Sequence, residues 1–395
     1  MKNSRSPQNF MKNNDLKYDY IIAGSGCAGL SLLYRLLVDP VLQSKKILVI
    51  DRVQKNENDR TWCFWEEGKG LFESVVMHEW KSLIFKNEEF TRQFDLEKYR
   101  YKMIQGKDFY EFVLSYAAGF ENVSFKNENI KGITSDALEA TVETEENTYQ
   151  SEYLFNSTSL FNPKITEENS LLQHFTGWVI KTKNDTFDSK VGTLMDFTLD
   201  QKHGATFMYV LPTSSTEALV EYTLFSKSVL PKEEYQAALT HYIKNDLQIS
   251  DYEITHTEFG IIPMSLAKFE RKSDAFNRII NIGTAGGYTK ASSGYTFQFV
   301  QKNTAKIIDN LLQEKNPNPE KSFDDKRYEW YDRTLLEVIL SGKMAGKDIF
   351  SLMFSKRSPE DILKFLGNES TIWEDLKMVT ALPIGPFMRA GLKQL

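Results

Sequence analysis

A strand, a glycine-rich turn, a helix and a second strand ending in an acid open this sequence, and few folds accommodate that order. Lys17–Ala23 reads as a buried strand, and Gly24-Ser25-Gly26-Cys27-Ala28-Gly29 follows it directly. Cys27–Val38 reads as a helix ending before Pro40, and Lys46–Asp51 as a second strand. This is a β-α-β unit of the length that binds a dinucleotide. Gly24 permits the tight strand-to-helix turn. Gly26 lets the backbone approach a pyrophosphate, and Gly29 lets the helix lie close to the strand. Ala28 completes the turn. The helix N-terminus then offers free N–H groups and partial positive charge to phosphates. Asp51, with Arg52 beside it, ends the second strand, where a carboxylate can accept from both ribose hydroxyls.

The rest of the chain chooses between dinucleotides. An NAD dehydrogenase that starts this way continues in regular βαβ repeats. Here the pattern changes, from about residue 174 to 265, to long alternating stretches such as Thr206–Val210, Ala218–Leu224 and Tyr252–Ile262. These predict a mostly antiparallel sheet, interrupted by a helix at Lys232–Lys244. A short strand, Arg278–Ile282, then leads into a second glycine-rich turn, Gly283-Thr284-Ala285-Gly286-Gly287, and on to Gly294 and Tyr295 before a helix over Gly294–Leu312. In flavoproteins with two such sites, the second turn carries the ribityl–pyrophosphate end. FAD is therefore the expected cofactor. No second GxGxxG appears, so any nicotinamide would act transiently.

The fold class expected is α/β: a Rossmann-like FAD-binding domain, an inserted mostly antiparallel β-sheet substrate domain, and a helical C-terminal region. The expected bounds are 17–160 with 275–315 for the discontinuous FAD domain, 161–274 for the substrate domain and 316–395 for the helices. Residues 1–16 read as a disordered tail.

Composition excludes several classes. A net charge of −6 gives no broad nucleic-acid footprint. Cys27 and Cys63 form neither a metal pattern nor a disulfide framework, and the five His show no ligand spacing. No metal is expected. No apolar run reaches the length of a spanning helix. Aromatic residues make up 13%, with 27 Phe and 18 Tyr, which suits either an ordinary Phe-rich core or an apolar ligand site.

Acids in apolar company are the candidates for chemistry. In Glu217–Phe225, alternation puts Leu219, Glu221 and Thr223 on one face of a strand. A carboxyl sharing an apolar face is desolvated and stays protonated; a carboxylate at a rim simply faces water. Pattern alone leaves both open for Glu221. Asp196 and Glu258 also sit in apolar surroundings, where an acid is more often a structural hydrogen-bond partner than a catalyst. Asp59–Glu66 holds Trp62, Phe64 and Trp65 close together, which fits a buried packing loop or a loop lining a pocket. Leu335–Phe354 reads as a core-facing helix pair or as a surface dipping into a bilayer.

Taken together, DYIIAGSGCAGLSL (19–32), NDRTWCFWE (58–66), QHFTGWVIKT (173–182), LMDF (194–197), TFMYVLPTSSTEALVEYT (206–223), EFGIIPM (258–264) and IGTAGGYTKASSGYTF (282–297) resemble the bacterial lycopene cyclases, the FAD-containing β-cyclase family of carotenoid synthesis. Gly-Thr at the second turn, where many flavin monooxygenases carry Gly-Asp, and the lack of the halogenases' Trp-x-Trp-x-Ile-Pro motif favour the cyclase.

The resemblance implies an isomerase without net redox change, closing the ψ-ends of lycopene to β-rings by way of γ-carotene. It implies Glu221 as the general acid/base and a reduced FAD replenished by NAD(P)H. It suggests Trp62, Phe64, Asp196, Tyr209 and Thr223 as pocket residues. Further implied are a cytoplasmic location peripheral to the inner membrane, and contact with other carotenoid enzymes. A monooxygenase or reductase acting on an isoprenoid is the rival reading, and a carotenoid-delivery protein without activity is another.

Overall fold

The structure is a computed structural model that describes residues 16–394; the expected N-terminal tail, apart from Leu16, lies outside the described residues. The chain opens with β1 (Lys17–Ala23), α1 (Cys27–Val38) and β2 (Ile47–Asp51). It continues through β3 (Thr61–Glu67), β4 (His78–Trp80), β5 (Ser82–Lys86), β6 (Thr91–Asp95), β7 (Tyr99–Gln105) and α2 (Gly106–Ala117). Next come β8 (Val123–Asn127), β9 (Ile130–Ser135), β10 (Ala140–Thr144) and β11 (Thr148–Asn156). A long section then holds β12 (Ser170–Thr182), β13 (Val191–Asp196), β14 (Ala205–Pro212), β15 (Glu217–Ser226), α3 (Lys232–His241) and β16 (Tyr252–Ser265). β17 (Ile279–Asn281) and α4 (Phe297–Leu312) precede α5 (Phe323–Leu340), α6 (Gly346–Lys356), α7 (Pro359–Leu366), α8 (Ile372–Val379) and α9 (Ile384–Lys393).

The first sheet runs β8-β2-β1-β11-β10-β9, with β17 also beside β11. β8, β2, β1, β11 and β17 are mutually parallel, whereas β10 runs antiparallel to both its neighbours, β11 and β9. Strands covered on both faces need apolar side chains at successive positions, and Ile21–Ile22–Ala23 and Ile47–Ile50 supply them fully buried. α1 covers one face with Leu30, Leu33, Leu36 and Leu37, each inaccessible to solvent, and packs on α2 and α4.

The second sheet runs β16-β12-β15-β14-β13-β5-β6 and is antiparallel except where β5 meets β13. One face is buried under α5 and α6, where Phe85 stacks on Phe354 at 4.3 Å and Phe197 on Phe350 at 6.0 Å. The other face carries α3 through Tyr235, Leu239 and the following turn. A small sheet, β3-β7-β4, lies between the two.

Two sequence expectations need adjusting. The helix expected from Gly294 begins at Phe297, because Gly294 takes φ +73° and so turns the chain instead of entering a helix. Leu335, Leu336, Val338, Ile349, Phe350, Met353 and Phe354 are core residues under the second sheet, which removes the bilayer reading of that stretch. Large apolar side chains stand exposed instead on α8 (Ile372, Trp373, Leu376) and α9 (Ile384, Met388, Leu392). No helix among the described residues is long and apolar enough to cross a membrane.

Candidate active site

The glycine-rich turn after β1 is built as its residue types require. Gly24 has φ +100°, and a Cβ there would collide with Ser157 Oγ. A Cβ on Gly29 would strike the Gly24 carbonyl oxygen. Beside Gly26 there is open space, so the backbone at the head of α1 can be approached by a ligand. No side chain caps that helix, and its first turn carries no acid. Asp51 leans back onto the turn: its Oδ2 accepts from Ser25 N (2.7 Å) and Ser25 Oγ (2.9 Å). Its Oδ1 receives only a long 3.4 Å contact from Val53 N. Arg52 is exposed.

The second turn meets the first. A Cβ on Gly283 would lie 2.7 Å from Ala28 Cβ. Ala285 is buried, and Thr284 Oγ1 is 3.0 Å from Thr289 Oγ1. The head of α4 also has no side-chain cap and no acid in its first turn. Two helix N-termini, more than 250 residues apart in sequence, thus border one hollow.

That hollow is a cavity of about 390 Å³ reaching from Gly26 and Thr284 at one end to Glu221 and Glu258 at the other. Its walls include Trp62, Tyr101, Phe175, Tyr209, Tyr295 and Phe297. Gln173 Oε1 and Ser293 Oγ are buried in the same wall without a hydrogen-bond partner. Orphaned polar atoms beside a glycine-lined entrance fit a flat, polar-edged ring such as a flavin's.

Glu221 faces this cavity from β15, opposite Tyr209 on β14. Thr223 lies behind it, fully buried, and its Oγ1 donates to Glu221 Oε1 at 2.8 Å. Burial away from bulk water, followed by the nearby Glu258 charge, pushes the Glu221 carboxyl up to about 8. Glu221 is half-buried, its remaining exposure opening onto the cavity, which fits the desolvated alternative left open by pattern. Tyr101, Tyr209 and Tyr295 are held as neutral hydroxyls by burial, Tyr295 pushed up to about 12. Burial and the two acids also raise the Cys63 thiol, so it is no thiolate nucleophile.

The structure brings together Glu221, Thr223, Tyr209, Trp62 and the two turns, but not every residue suggested for the pocket. Phe64 is not in the cavity wall; it is buried against α4, stacked on Phe297 at 4.4 Å. Asp196 is elsewhere in the second sheet and fully engaged. It accepts from Tyr242 OH (2.7 Å) and Thr198 Oγ1 (2.6 Å) and pairs with Lys86 (3.1 Å). Its apolar neighbours bury an ordinary structural carboxylate. Glu258, Thr61, Gln173 and Tyr101 are wall residues that the pocket assignment missed. Their signal lies in strand register, which no local window contains.

A larger hollow of about 580 Å³ borders the same second turn through Thr284. Its charges are largely paired, Lys290 with Asp332 at 2.7 Å and Lys321 with Glu329 at 2.6 Å. Among the described residues, no group of three His, Cys, Asp or Glu could hold a metal ion.

The fold matches flavoproteins of several activities. A geranylgeranyl bacteriochlorophyll reductase-like protein from Thermoplasma acidophilum superposes with TM-score 0.61 at 13% identity, over 95% of this chain and 98% of that one. A flavoprotein/dehydrogenase from Cytophaga hutchinsonii gives 0.61 at 12%, over 96% and 98%. The halogenase PltM, solved with FAD as a mutant, gives 0.55 at 11%, over 88% and 78%. At such identities the likeness concerns the fold alone. A search of curated proteins found no match. The sequence itself matches the family described as lycopene cyclase protein over residues 19–392, nearly its whole length. The chain belongs to the lycopene cyclase family.

Proposed function

We propose that this protein is a lycopene β-cyclase, an isomerase that closes the acyclic ends of lycopene to β-rings through γ-carotene to β-carotene. The observation that carries the reading is Glu221: a carboxyl pushed up to about 8, set in an aromatic wall, in the same cavity as the dinucleotide-type turn. An acid that keeps its proton at neutral pH can deliver it to an alkene. Glu221 would protonate the terminal double bond of the ψ-end. The resulting tertiary cation is attacked by the neighbouring double bond, a six-membered ring closes, and loss of a ring proton yields the β-ring. One proton enters and one leaves, so no electrons are consumed.

The groups around the acid suit this chemistry. Tyr209, Tyr295, Tyr101 and Trp62 offer π-faces to a passing cation and hold off water. FAD fits the two glycine turns, with Gly24, Gly26, Ala28, Gly29, Asp51 and Arg52 at the adenosine–pyrophosphate end and Gly283, Thr284, Ala285, Gly294 and Tyr295 at the ring end. When bound and reduced it supplies negative charge near the cation. NAD(P)H is the proposed reductant. The substrate is a C40 hydrocarbon, and peripheral contact with the cytoplasmic face of a membrane, where other carotenoid enzymes also act, would deliver it. The apolar faces of α8 and α9, with Lys377, Arg389 and Lys393 beside them, suit an anionic lipid surface.

The test is the pigment profile of lycopene-accumulating bacterial cells expressing this chain. Conversion to β-carotene without oxygenated or reduced products supports the cyclase. Oxygenated or hydrogenated products would instead support the monooxygenase or reductase reading. Lycopene returned unchanged by folded, flavin-loaded protein would count against the proposal.

A further inference from the structure

Two acids meet in this cavity because the strand between them has no side chain there. β12 lies between β15 and β16, and Gly177 is in register with Glu221 on one side and with Glu258 on the other. Residues two strands apart are separated by roughly 10 Å at the backbone. Both carboxyls cross that gap by leaning over the glycine. A Cβ on Gly177 would sit 3.2 Å from Glu258 Cγ, 3.5 Å from Glu221 Oε2 and 3.0 Å from Leu219 Cδ1. One oxygen of each acid is held by a hydroxyl, Thr223 for Glu221 (2.8 Å) and Thr61 Oγ1 for Glu258 Oε2 (2.7 Å). The two carboxyls thus converge over the glycine, close enough for each to act on the other's proton affinity.

Two carboxyls converging in a buried cavity favour keeping one proton between them, since two bare carboxylates repel. The surroundings decide which acid holds it. Each acid has one donating hydroxyl, Thr223 for Glu221 and Thr61 for Glu258, so these balance; apart from Glu258 itself, the other groups around Glu221 are neutral: Tyr209, Tyr295 and Cys63, with Tyr101 beyond them. Glu258 faces Cys63 as well, but also the Arg60 cation, the Thr61 hydroxyl and, opposing them, Asp59.

We propose that Glu258 is the positioning residue of the proton donor: the two carboxyls share one proton over Gly177, Glu258 stays the anion, and its charge keeps that proton on Glu221. Delivery of the proton to a polyene rests on the function proposed above; the sharing of one proton does not. In the full cycle Glu221 gives the proton to carbon, leaving both acids anionic. That arrangement is unfavourable at this separation, so the pair readily recovers the proton lost from the ring, and its charge returns to the starting value.

The test follows the protonated-carboxyl stretching band of the purified full-length protein, by infrared difference spectroscopy against pH. Wild type should show a band that titrates near 8, and Glu221→Gln should lose it. Glu258→Gln removes the neighbouring anion and should move the midpoint down by about one pH unit, a tenfold fall in proton affinity. Thr61→Val removes the hydroxyl that steadies the Glu258 anion, so the shared proton spends part of its time on Glu258 and the midpoint of the pair should move up. It also serves if Glu258→Gln fails to fold. A purely structural Glu258 predicts neither shift. A band that survives in Glu221→Gln, or midpoints unmoved in both other variants, would overturn the proposal. Because this readout needs no substrate, expected shifts in protein that does not convert lycopene would sink the cyclase reading and leave the shared proton standing. Lycopene conversion with an unmoved band would do the reverse.

Discussion

Gly283 sits against Ala28, so closely that a Cβ on the glycine would lie 2.7 Å from the alanine methyl. The contact joins the second glycine turn to the first turn of α1. Gly283 also has φ +59°, a region costly for any residue with a side chain. Gly283→Ala should therefore separate the turns and cost about 1–3 kcal/mol. A lowered melting temperature together with reduced flavin content in the purified protein is the expected result.

Asp51 is expected to act on the cofactor through Oδ1, which holds only the long contact from Val53 N, and on the turn through Ser25. Losing hydrogen bonds to a charged acceptor costs about 1.5–3 kcal/mol. Asp51→Ala should weaken FAD retention tenfold or more, measured by flavin absorbance after dialysis. Unchanged occupancy would remove the ribose role.

Replacing the proposed proton donor is the most direct probe of the chemistry. Glu221→Gln preserves shape and the contact with Thr223 while abolishing the acid. Cyclisation should fall by about 10²–10⁴-fold, with flavin content unaltered. Near-wild-type pigment from that variant would end the acid/base assignment.

The raised acid also sets pH behaviour. Cyclisation should decline as pH rises through about 8, where Glu221 loses its proton. Stability follows the same sign. In the unfolded chain this carboxyl titrates at about 4.3, so the folded state binds more protons between the two values. Its contribution is complete below about 4 and is lost as pH rises through 8. Glu258 is raised as well and acts in the same direction. Melting curves of wild type and Glu221→Gln should therefore diverge in the variant's favour between pH 5 and pH 9.

Membrane contact can be separated from catalysis. Trp373 is 75% exposed and Ile384 73%, and neither lines the cavity. Trp373→Ala with Ile384→Ser should leave flavin content intact and reduce co-sedimentation with phosphatidylglycerol vesicles severalfold. Equal sedimentation would exclude this face as the docking surface.

The β-α-β unit was legible because everything that makes it is local: the apolar strands, the three glycines and the terminal acid lie within Lys17–Asp51. The second turn was legible for the same reason. Glu221 was visible as an acid among apolar residues, yet Asp196 fits that description equally well. What separates them is partners brought from afar: Tyr242 and Lys86 satisfy Asp196, whereas Glu221 faces a cavity. Glu258 was seen without its role because its partner stands two strands away, across Gly177, and register is a property of the sheet. Phe64 was misplaced because the aromatic cluster around it serves two purposes at once, with Trp62 in the cavity wall and Phe64 in the packing against α4.

The return of β17 to the first sheet has a consequence for how the molecule is made. β17 pairs with Leu154–Asn156 of β11, and Gly283 follows it immediately. A ribosome releasing this chain from its N-terminus exposes that edge of β11 long before residue 279 emerges. The whole antiparallel section must be synthesised in between. The nascent first sheet thus waits with an open apolar edge, a hazard for mispairing with other chains. With flavin held as proposed, its capture comes late by the same geometry, since the second glycine turn is delivered only with β17. Early folding of the N-terminal unit cannot by itself produce a competent cofactor site, and overproduction faster than completion favours aggregates low in flavin.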